Sequence, residues 1–152
     1  MFIVKTCGTA MLVVSVLACD PTNEIHVEPQ STTGVLRLHA YRAPDSVSGI
    51  ATVTTIEVDR CGGRWLGATM WKIERTRRRW FGAQEDPIIT YGRLPSDRWR
   101  TSQEAQALDT GCYLAIASGG AMGGSTAFRV VRSGEIHEIS ESALRALRKA
   151  AP

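Results

Sequence analysis

Short runs of alternating or β-branched residues, separated by turn-forming residues, recur along the chain from residue 35 to residue 139. In VLRLHAY the apolar residues Leu36, Leu38 and Ala40 share one face of a strand, because side chains alternate between the two faces. Gly, Pro, Asn, Asp and Ser cluster between such runs, as turns require. Seven or eight short strands in about 105 residues predict an antiparallel β-sandwich or barrel.

The other runs that predict strands are IATVTTIEV, TMWKIER, PIITY, CYLAIAS, AFRVV and EIHEI. Trp71 and Ile73 of TMWKIER are expected to face inward. The glycine-rich run SGGAMGGST (118–126) lacks the Gly-Lys-Ser/Thr ending of a phosphate loop, so it predicts a hairpin loop between two strands. Residues 140–150 predict a short C-terminal helix, which Ser140 can cap.

The sequence LDTGCY places Asp109, Gly111 and Tyr113 in the order D-x-G-x-Y. This order resembles the tyrosine corner of immunoglobulin-like domains, in which a tyrosine near a strand start binds back to the preceding connection. A plain strand start at Gly-x-Tyr is the alternative. ITYGRLP (89–95) is similar to a segment of other bacterial envelope proteins and implies no activity. The predicted fold is all-β, an immunoglobulin-like antiparallel β-sandwich with a short C-terminal helix.

The N-terminal segment is apolar and carries a single charge, Lys5. As a helix, the uncharged run TCGTAMLVVSVL would cover about 18 Å, which is short of a hydrocarbon core of about 30 Å. Residues 1–18 therefore predict a secretory signal peptide, and an uncleaved membrane helix is the alternative.

The end of that segment, Val16-Leu17-Ala18-Cys19, resembles the lipobox of bacterial lipoproteins. The resemblance implies cleavage before Cys19, acylation of Cys19 and residence in a bacterial cell envelope. In some bacteria an Asp at the place of Asp20 keeps a lipoprotein in the inner membrane, and the choice between inner and outer membrane stays open. An ordinary signal peptidase could cut the same bond without lipid attachment.

Four cysteines are present, and Cys7 would leave with the signal peptide. If Cys19 is lipidated, Cys61 and Cys112 remain as an even pair in an oxidising compartment, which favours a disulfide between them. If Cys19 is not lipidated, one odd thiol remains near the N-terminus.

The predicted mature chain begins as a lipid-anchored tether, residues 19–33, and continues as one domain, residues 34–152. EIHVE within the tether alternates and could instead supply an edge strand. Without residues 1–18 the chain has 17 basic and 15 acidic residues, a net charge of +2. So small a charge argues against nucleic acid as a partner.

Between Arg75 and Arg100 seven arginines stand against three acidic residues. Arginine offers forked donors to phosphate or carboxylate, and nearby tryptophans can stack on a sugar ring. We predict a basic-aromatic patch that binds an anionic envelope polymer or an envelope protein: Arg77, Arg78, Arg79, Trp80, Arg98, Trp99 and Arg100. The alternative is that the tryptophans cover the sandwich while the arginines are solvated or paired with acids.

The sequence offers no familiar catalytic or metal-binding motif. His26, His39 and His137 occur without H-E-x-x-H or C-x-x-C spacing, and the predicted domain has no G-x-S-x-G elbow. We expect no metal, no cofactor and no catalytic residue. The chain is predicted to be a non-catalytic envelope protein, held to a membrane by its lipid, that binds or assembles with other components. The alternatives are an enzyme with a scattered site acting on cell-wall or surface polymers, and a structural spacer without a ligand.

Overall fold

Strands dominate a computed structural model of the chain, which describes residues 23–42, 53–62, 65–76, 87–119 and 122–150. Nine strands and one helix lie in these ranges: β1 (Asn23–Val27), β2 (Arg37–Arg42), β3 (Thr55–Gly62), β4 (Trp65–Arg75), β5 (Ile88–Thr90), β6 (Trp99–Gln103), β7 (Gly111–Gly119), β8 (Met122–Val130), β9 (Ile136–Ile139) and α1 (Glu141–Ala150). The predicted signal peptide and the predicted lipid-attachment residue Cys19 lie outside the described residues.

The strands form two antiparallel sheets, one with the order β1-β2-β5 and one with the order β6-β4-β3-β7-β8-β9. The order β4-β3-β7-β8 opposite β1-β2-β5 corresponds to strands C′-C-F-G opposite A-B-E of an immunoglobulin-like sandwich. β6 and β9 extend the six-stranded sheet at its two edges. The structure confirms the predicted all-β antiparallel sandwich with a short C-terminal helix.

The core lies between the two sheets and takes alternate residues from each strand. Leu38 and Ala40 of β2 are fully buried, as are Trp71 and Ile73 of β4, in agreement with the inward faces predicted from the sequence. The Trp71 ring is tilted by 60° against the ring of Tyr91, with the centroids 5.2 Å apart. Burial of one such side chain contributes about 1.5–3 kcal/mol, so the alternation supplies much of the stabilising free energy.

The domain begins earlier than predicted, because residues 23–27 form a strand within the stretch assigned to the tether. β1 pairs with β2 in a register that places Asn23 opposite Arg42. Ile25 of β1 is 2% exposed and belongs to the core. EIHVE therefore contributes to an edge strand, as its alternation allows, and residues 23–27 are not part of a tether.

The glycine-rich run is mostly strand rather than loop. Its first residues end β7 and its last residues begin β8, so that Ser118 pairs with Gly123. A Cβ atom on Gly123 would lie 3.1 Å from the carbonyl oxygen of Ala117. This close approach accounts for glycine at position 123. Only residues 120–121 of the run lie outside the described strands.

One end of the sandwich carries the disulfide, and we call it the disulfide end. Cys61 of β3 is bonded to Cys112 of β7, as predicted. Two connections meet there, 28–36 between β1 and β2 and 131–135 between β8 and β9. They are joined by hydrogen bonds, for example from the Thr33 amide to the Gly134 carbonyl.

The opposite end, which we call the N-terminal end, is where β1 begins. β3, β6 and β8 also begin there, and β2, β4 and β7 end there, as the antiparallel registers require. Hydrogen bonds tie these strand ends together. The Arg75 amide donates to the Thr54 carbonyl, and the Thr54 amide donates to the Ser118 carbonyl.

Tyr113 forms the predicted tyrosine corner near the start of β7. Its hydroxyl donates to the Asp109 carboxylate at 2.6 Å and lies 2.9 Å from the Asp109 carbonyl oxygen. Burial raises the pKa of Tyr113 to about 12, and the hydrogen bond and charge of Asp109 act in the same direction. Arg60 lies 3.4 Å from the same carboxylate. The corner thus fixes the connection that precedes β7.

Replacing Tyr113 with Phe should lower the free energy of unfolding by about 1–2 kcal/mol, because a buried hydroxyl loses the bonds it makes to Asp109. Urea unfolding of both proteins would measure the change. Tyr41→Phe is a matched control, since the Tyr41 hydroxyl donates to Glu24 on a more exposed surface. Its expected loss is smaller, under about 1 kcal/mol. Equal losses in the two variants would contradict the structural role of the corner.

The helix α1 begins where it was predicted. The Ala143 amide donates to the Ser140 hydroxyl at 3.3 Å, and the Leu144 amide donates to the Ser140 carbonyl at 2.9 Å. Ser140 therefore caps the first turn, as predicted. Leu144 is half-buried, whereas Ala143 and Ala146 are exposed.

Candidate functional site

Trp99 does not lie on the protein surface, although the basic-aromatic patch predicted from the sequence includes it. Trp99 is 2% exposed and belongs to the hydrophobic core. It lies opposite Arg75 in the β4–β6 pairing, and the Arg75 guanidinium carbon lies 5.1 Å from the centre of the indole ring. A ring that packs in the core and against a guanidinium group cannot stack on a sugar. The inclusion of Trp99 in a ligand-binding patch is therefore corrected.

Two arginines of the predicted patch, Arg98 and Arg100, are exposed near the N-terminal end. An Arg100 Nη2 atom lies 3.0 Å from the Glu74 carboxylate on the neighbouring strand. The Arg98 carbonyl accepts hydrogen bonds from both the amide and the hydroxyl of Thr76. The other predicted patch residues, Arg77, Arg78, Arg79 and Trp80, lie outside the described residues.

A second group of titratable side chains lies on the outer face of the three-stranded sheet and along its β1 edge. We call it the histidine–carboxylate cluster, and its members are Glu24, His26, Glu28, His39, Tyr41 and Glu138. His26 Nδ1 lies 3.0 Å from a Glu138 carboxylate oxygen, and His26 Nε2 lies 3.5 Å from Glu24. One imidazole is thus held between carboxylates from two strands.

Tyr41 links the two histidines of this cluster. Its hydroxyl donates to Glu24 at 2.9 Å, and its ring is stacked on His26 with the centroids 5.8 Å apart. The His39 ring lies 5.0 Å from the same tyrosine ring, and His39 Nδ1 lies 3.1 Å from the Glu28 carboxylate. The pairing of β1 with β2 causes this arrangement, because it places His26 directly opposite His39.

Glu138 joins the two sheets at the β1 edge. It belongs to β9 of the six-stranded sheet, but one of its carboxylate oxygens accepts the Val27 amide of β1 at 2.8 Å. The other oxygen contacts His26. A carboxylate that accepts a backbone amide and an imidazole forms charge-assisted hydrogen bonds, which are shorter and stronger than neutral ones. This contact closes one side of the sandwich.

The pKa values of the pair shift in opposite directions. Partial burial alone would lower the pKa of His26, but the hydrogen bonds and negative charges of Glu138 and Glu24 outweigh it, and the pKa is raised. Burial alone would raise the pKa of Glu138. The bonds from His26, the Val27 amide and Thr126 outweigh this effect and lower the pKa below its usual value. Both shifts favour the charged pair.

The pair should therefore make stability depend on pH in a definite direction. A raised His26 pKa stabilises the fold fully below the unfolded value of about 6.5, and this contribution is lost as pH rises through the folded pKa. A lowered Glu138 pKa stabilises above the unfolded value of about 4.5, and this is lost as pH falls through the folded pKa. The contribution is largest between these two values.

His26→Gln measures this contribution. Because the pair is partly exposed, the variant should be less stable by at most about 1 kcal/mol near pH 5.5, and the difference should shrink by pH 8.5. Urea unfolding of both proteins at several pH values would test it. His137→Gln is the matched control, since His137 lies on β9 but 3.7 Å from an exposed Glu135. A His26→Gln difference that grows toward pH 8.5 would contradict the assignment.

Asp59 is a buried carboxyl group on the six-stranded sheet. It is 1% exposed, and its Oδ1 atom has no hydrogen-bond partner among the described residues. Burial raises its pKa; a hydrogen bond from Thr69 opposes the shift, and the neighbouring Glu57 adds to it. Burial favours the uncharged form because a charged group loses its hydration. Burial, with the negative charge of Glu57, therefore keeps Asp59 protonated up to a higher pH than usual.

The described side chains do not resemble a metal centre. Within the described ranges, no three or more His, Cys, Asp or Glu side chains are grouped so that they could hold a metal ion. His26 has two carboxylates beside it, and it lies on an open face, where its side chain is 47% exposed. This geometry fits a surface contact better than chemistry that requires the exclusion of water.

Comparison of the chain with known protein families, with curated proteins and with solved structures finds no match. In the part of the chain that the structure describes, no helix combines the length and the apolar character needed to cross a bilayer.

Proposed function

We propose that the chain is an exported, lipid-anchored and non-catalytic protein of a bacterial cell envelope, where it binds or helps to assemble another envelope component. The Cys61–Cys112 disulfide is the observation that supports this proposal most directly. Structural disulfides persist in oxidising compartments and are rare in reducing ones. The bond leaves only Cys7 and Cys19 without an assigned partner, and Cys19 ends the lipobox-like sequence.

The start of β1 supports the same proposal. Only residues 20–22 separate Cys19 from Asn23, the first residue of β1. A chain cut before Cys19 would therefore keep every strand that the structure describes. Acyl chains on Cys19 would hold the domain to the membrane, because each buried methylene contributes about 0.8 kcal/mol.

The partner that fits best is an anionic envelope polymer or an envelope protein with an acidic surface. The exposed side chains of Arg98 and Arg100 contribute positive charge near the N-terminal end. The segment 77–86, which contains three consecutive arginines in its sequence, joins Thr76 to Pro87. Guanidinium groups bind phosphate and carboxylate groups through paired hydrogen bonds. Because Trp99 is buried in the core, Arg98 and Arg100 are the only residues of the predicted patch that the structure describes as exposed.

The first test concerns the lipid. The chain would be expressed in a bacterial host that is fed a palmitate analogue, and the mature protein would be analysed by mass spectrometry. We expect label on the wild type and on Cys7→Ser, and none on Cys19→Ser, because only Cys19 would carry the acyl chains. A mature chain that begins at Cys19 without lipid would contradict the anchor and leave an exported soluble domain.

The second test concerns the partner. Anionic envelope material should retain the domain at low salt and release it at about 0.5 M salt, where the screening length falls to about 4 Å. Changing Arg77, Arg78 and Arg79 together to Gln should weaken retention, whereas changing Arg129, Arg132 and Arg37 to Gln removes equal charge elsewhere. If neither salt nor the change of Arg77, Arg78 and Arg79 to Gln weakens retention, the basic surface is not the binding site. No retention at all would favour the spacer.

The competing enzyme hypothesis rests on His26, whose imidazole lies between Glu24 and Glu138. Incubation with cell-wall or surface polymers, followed by analysis of the products, would test it. Polymer cleavage that is lost in His26→Gln, with the fold intact, would overturn the non-catalytic proposal.

A further inference from the structure

We propose that the N-terminal end of the sandwich rests on the surface of a phospholipid bilayer, while the disulfide end points away from it. This inference rests on the lipid anchor proposed above. It adds the orientation of the domain and the surface that contacts the headgroups.

The length of chain between the proposed anchor and the fold limits where the domain can lie. From Cys19 to Asn23 there are four residue steps, which span at most about 14 Å when fully extended. Asn23 is the first residue of β1 and is paired with Arg42 in the sheet. The start of β1 must therefore stay within about 14 Å of the residue that carries the lipid.

When the strands stand roughly perpendicular to the bilayer, the disulfide end of the sandwich cannot touch the bilayer surface. β7 runs from the disulfide end to the N-terminal end over the nine residues Gly111–Gly119. At about 3.4 Å per residue this strand is about 27 Å long, roughly twice the reach of the linking chain. An upright domain thus presents one end to the membrane and holds Cys61 and Cys112 away from it.

The groups at the N-terminal end suit a phospholipid surface. The Thr76 amide donates to the Arg98 carbonyl, so the end of β4 lies beside the start of β6. The side chains of Thr76 and Arg98 are both exposed. Arg100 is on the same strand as the core residue Trp99 and is 66% exposed. Arginine binds phosphate groups, and its aliphatic part can lie along apolar surface while its charge stays in water. Phospholipid headgroups are the phosphate source nearest to a lipidated Cys19.

A fluorescence experiment on the lipidated protein tests this orientation. Asp97→Cys at the N-terminal end and Ser133→Cys at the disulfide end each place one dye on an exposed position. The vesicles contain phosphatidylcholine, phosphatidylglycerol and a lipid with a nitroxide on its headgroup. We expect at least three-fold stronger quenching of the dye at 97 than of the dye at 133. Equal quenching at the two positions, or stronger quenching at 133, would overturn the proposed orientation.

Two further variants separate this inference from the proposed function. At about 0.5 M salt, which screens the basic surface, Cys19→Ser should not float with the vesicles. A wild type that also fails to float would refute the lipid anchor together with the orientation. A variant with ten Gly/Ser residues inserted after residue 20 should float normally. Its linking chain would span about 21 Å on average, so the preference for quenching at 97 should fall. An unchanged preference would show that the short chain does not set the orientation, and the inference would fail.

Discussion

Removal of the Cys61–Cys112 disulfide should lower the free energy of unfolding by about 4 kcal/mol, one of the two largest effects that we expect from a local change. The two cysteines are 51 residues apart in the sequence. A crosslink over that distance restricts the unfolded chain, and the loop-entropy relation gives about 4 kcal/mol at 25 °C. Since small domains are stable by only about 5–15 kcal/mol, the loss would leave a marginal fold.

The measurement is urea unfolding of the domain with both cysteines changed to Ser. Wild-type protein unfolded in the presence of a reductant is the matched control, because it loses the crosslink but keeps the sulfur atoms. The two should agree within about 1 kcal/mol, a limit set by the usual spread of such effects. A double variant as stable as the oxidised wild type would contradict the entropic account.

Trp99→Ala should cost about 3–5 kcal/mol, because it removes a core indole and leaves a cavity beside Arg75. Trp99→Phe should cost less, since it retains an aromatic ring. The neighbouring Arg98→Ala should change stability by no more than about 0.5 kcal/mol, as is usual for an exposed side chain.

These three variants also separate a core role of Trp99 from a ligand-binding role. Thermal unfolding measures the first, and retention on anionic envelope material measures the second. We expect Trp99→Phe, once folded, to bind as the wild type does. If Trp99→Ala leaves stability unchanged but abolishes retention on anionic envelope material, the indole binds the ligand and does not stabilise the core.

The fold could be predicted because its main signals are local. Alternation places Leu38 and Trp71 on inward faces whatever the strand order, and the D-x-G-x-Y pattern needs only Tyr113 and the preceding Asp109. β6 is not among the strands predicted from the sequence, because WRTSQ contains only one apolar residue. Its strand character comes from pairing with β4, which is a tertiary contact.

The histidine–carboxylate cluster shows what sequence alone could not supply. EIHVE and RLHAY each place a histidine on the outer face of a strand, and this much was visible in the alternation. His26 lies opposite His39 because of the register of β1 against β2. Glu138 contacts His26 because the two sheets come together along the β1 edge. Neither register nor closure follows from the period of a single strand.

The Glu138 contact also bears on the order in which the chain can fold. It joins His26, in the first strand, to a residue 112 positions later in the last strand. Contacts between such distant residues form late, because a long loop must close before they contribute free energy. During N-to-C synthesis β1 is made first, yet it lacks this partner until β9 has been made. We therefore expect the edge strand β1 to be the last to gain protection from hydrogen exchange, only after β9 has been synthesised.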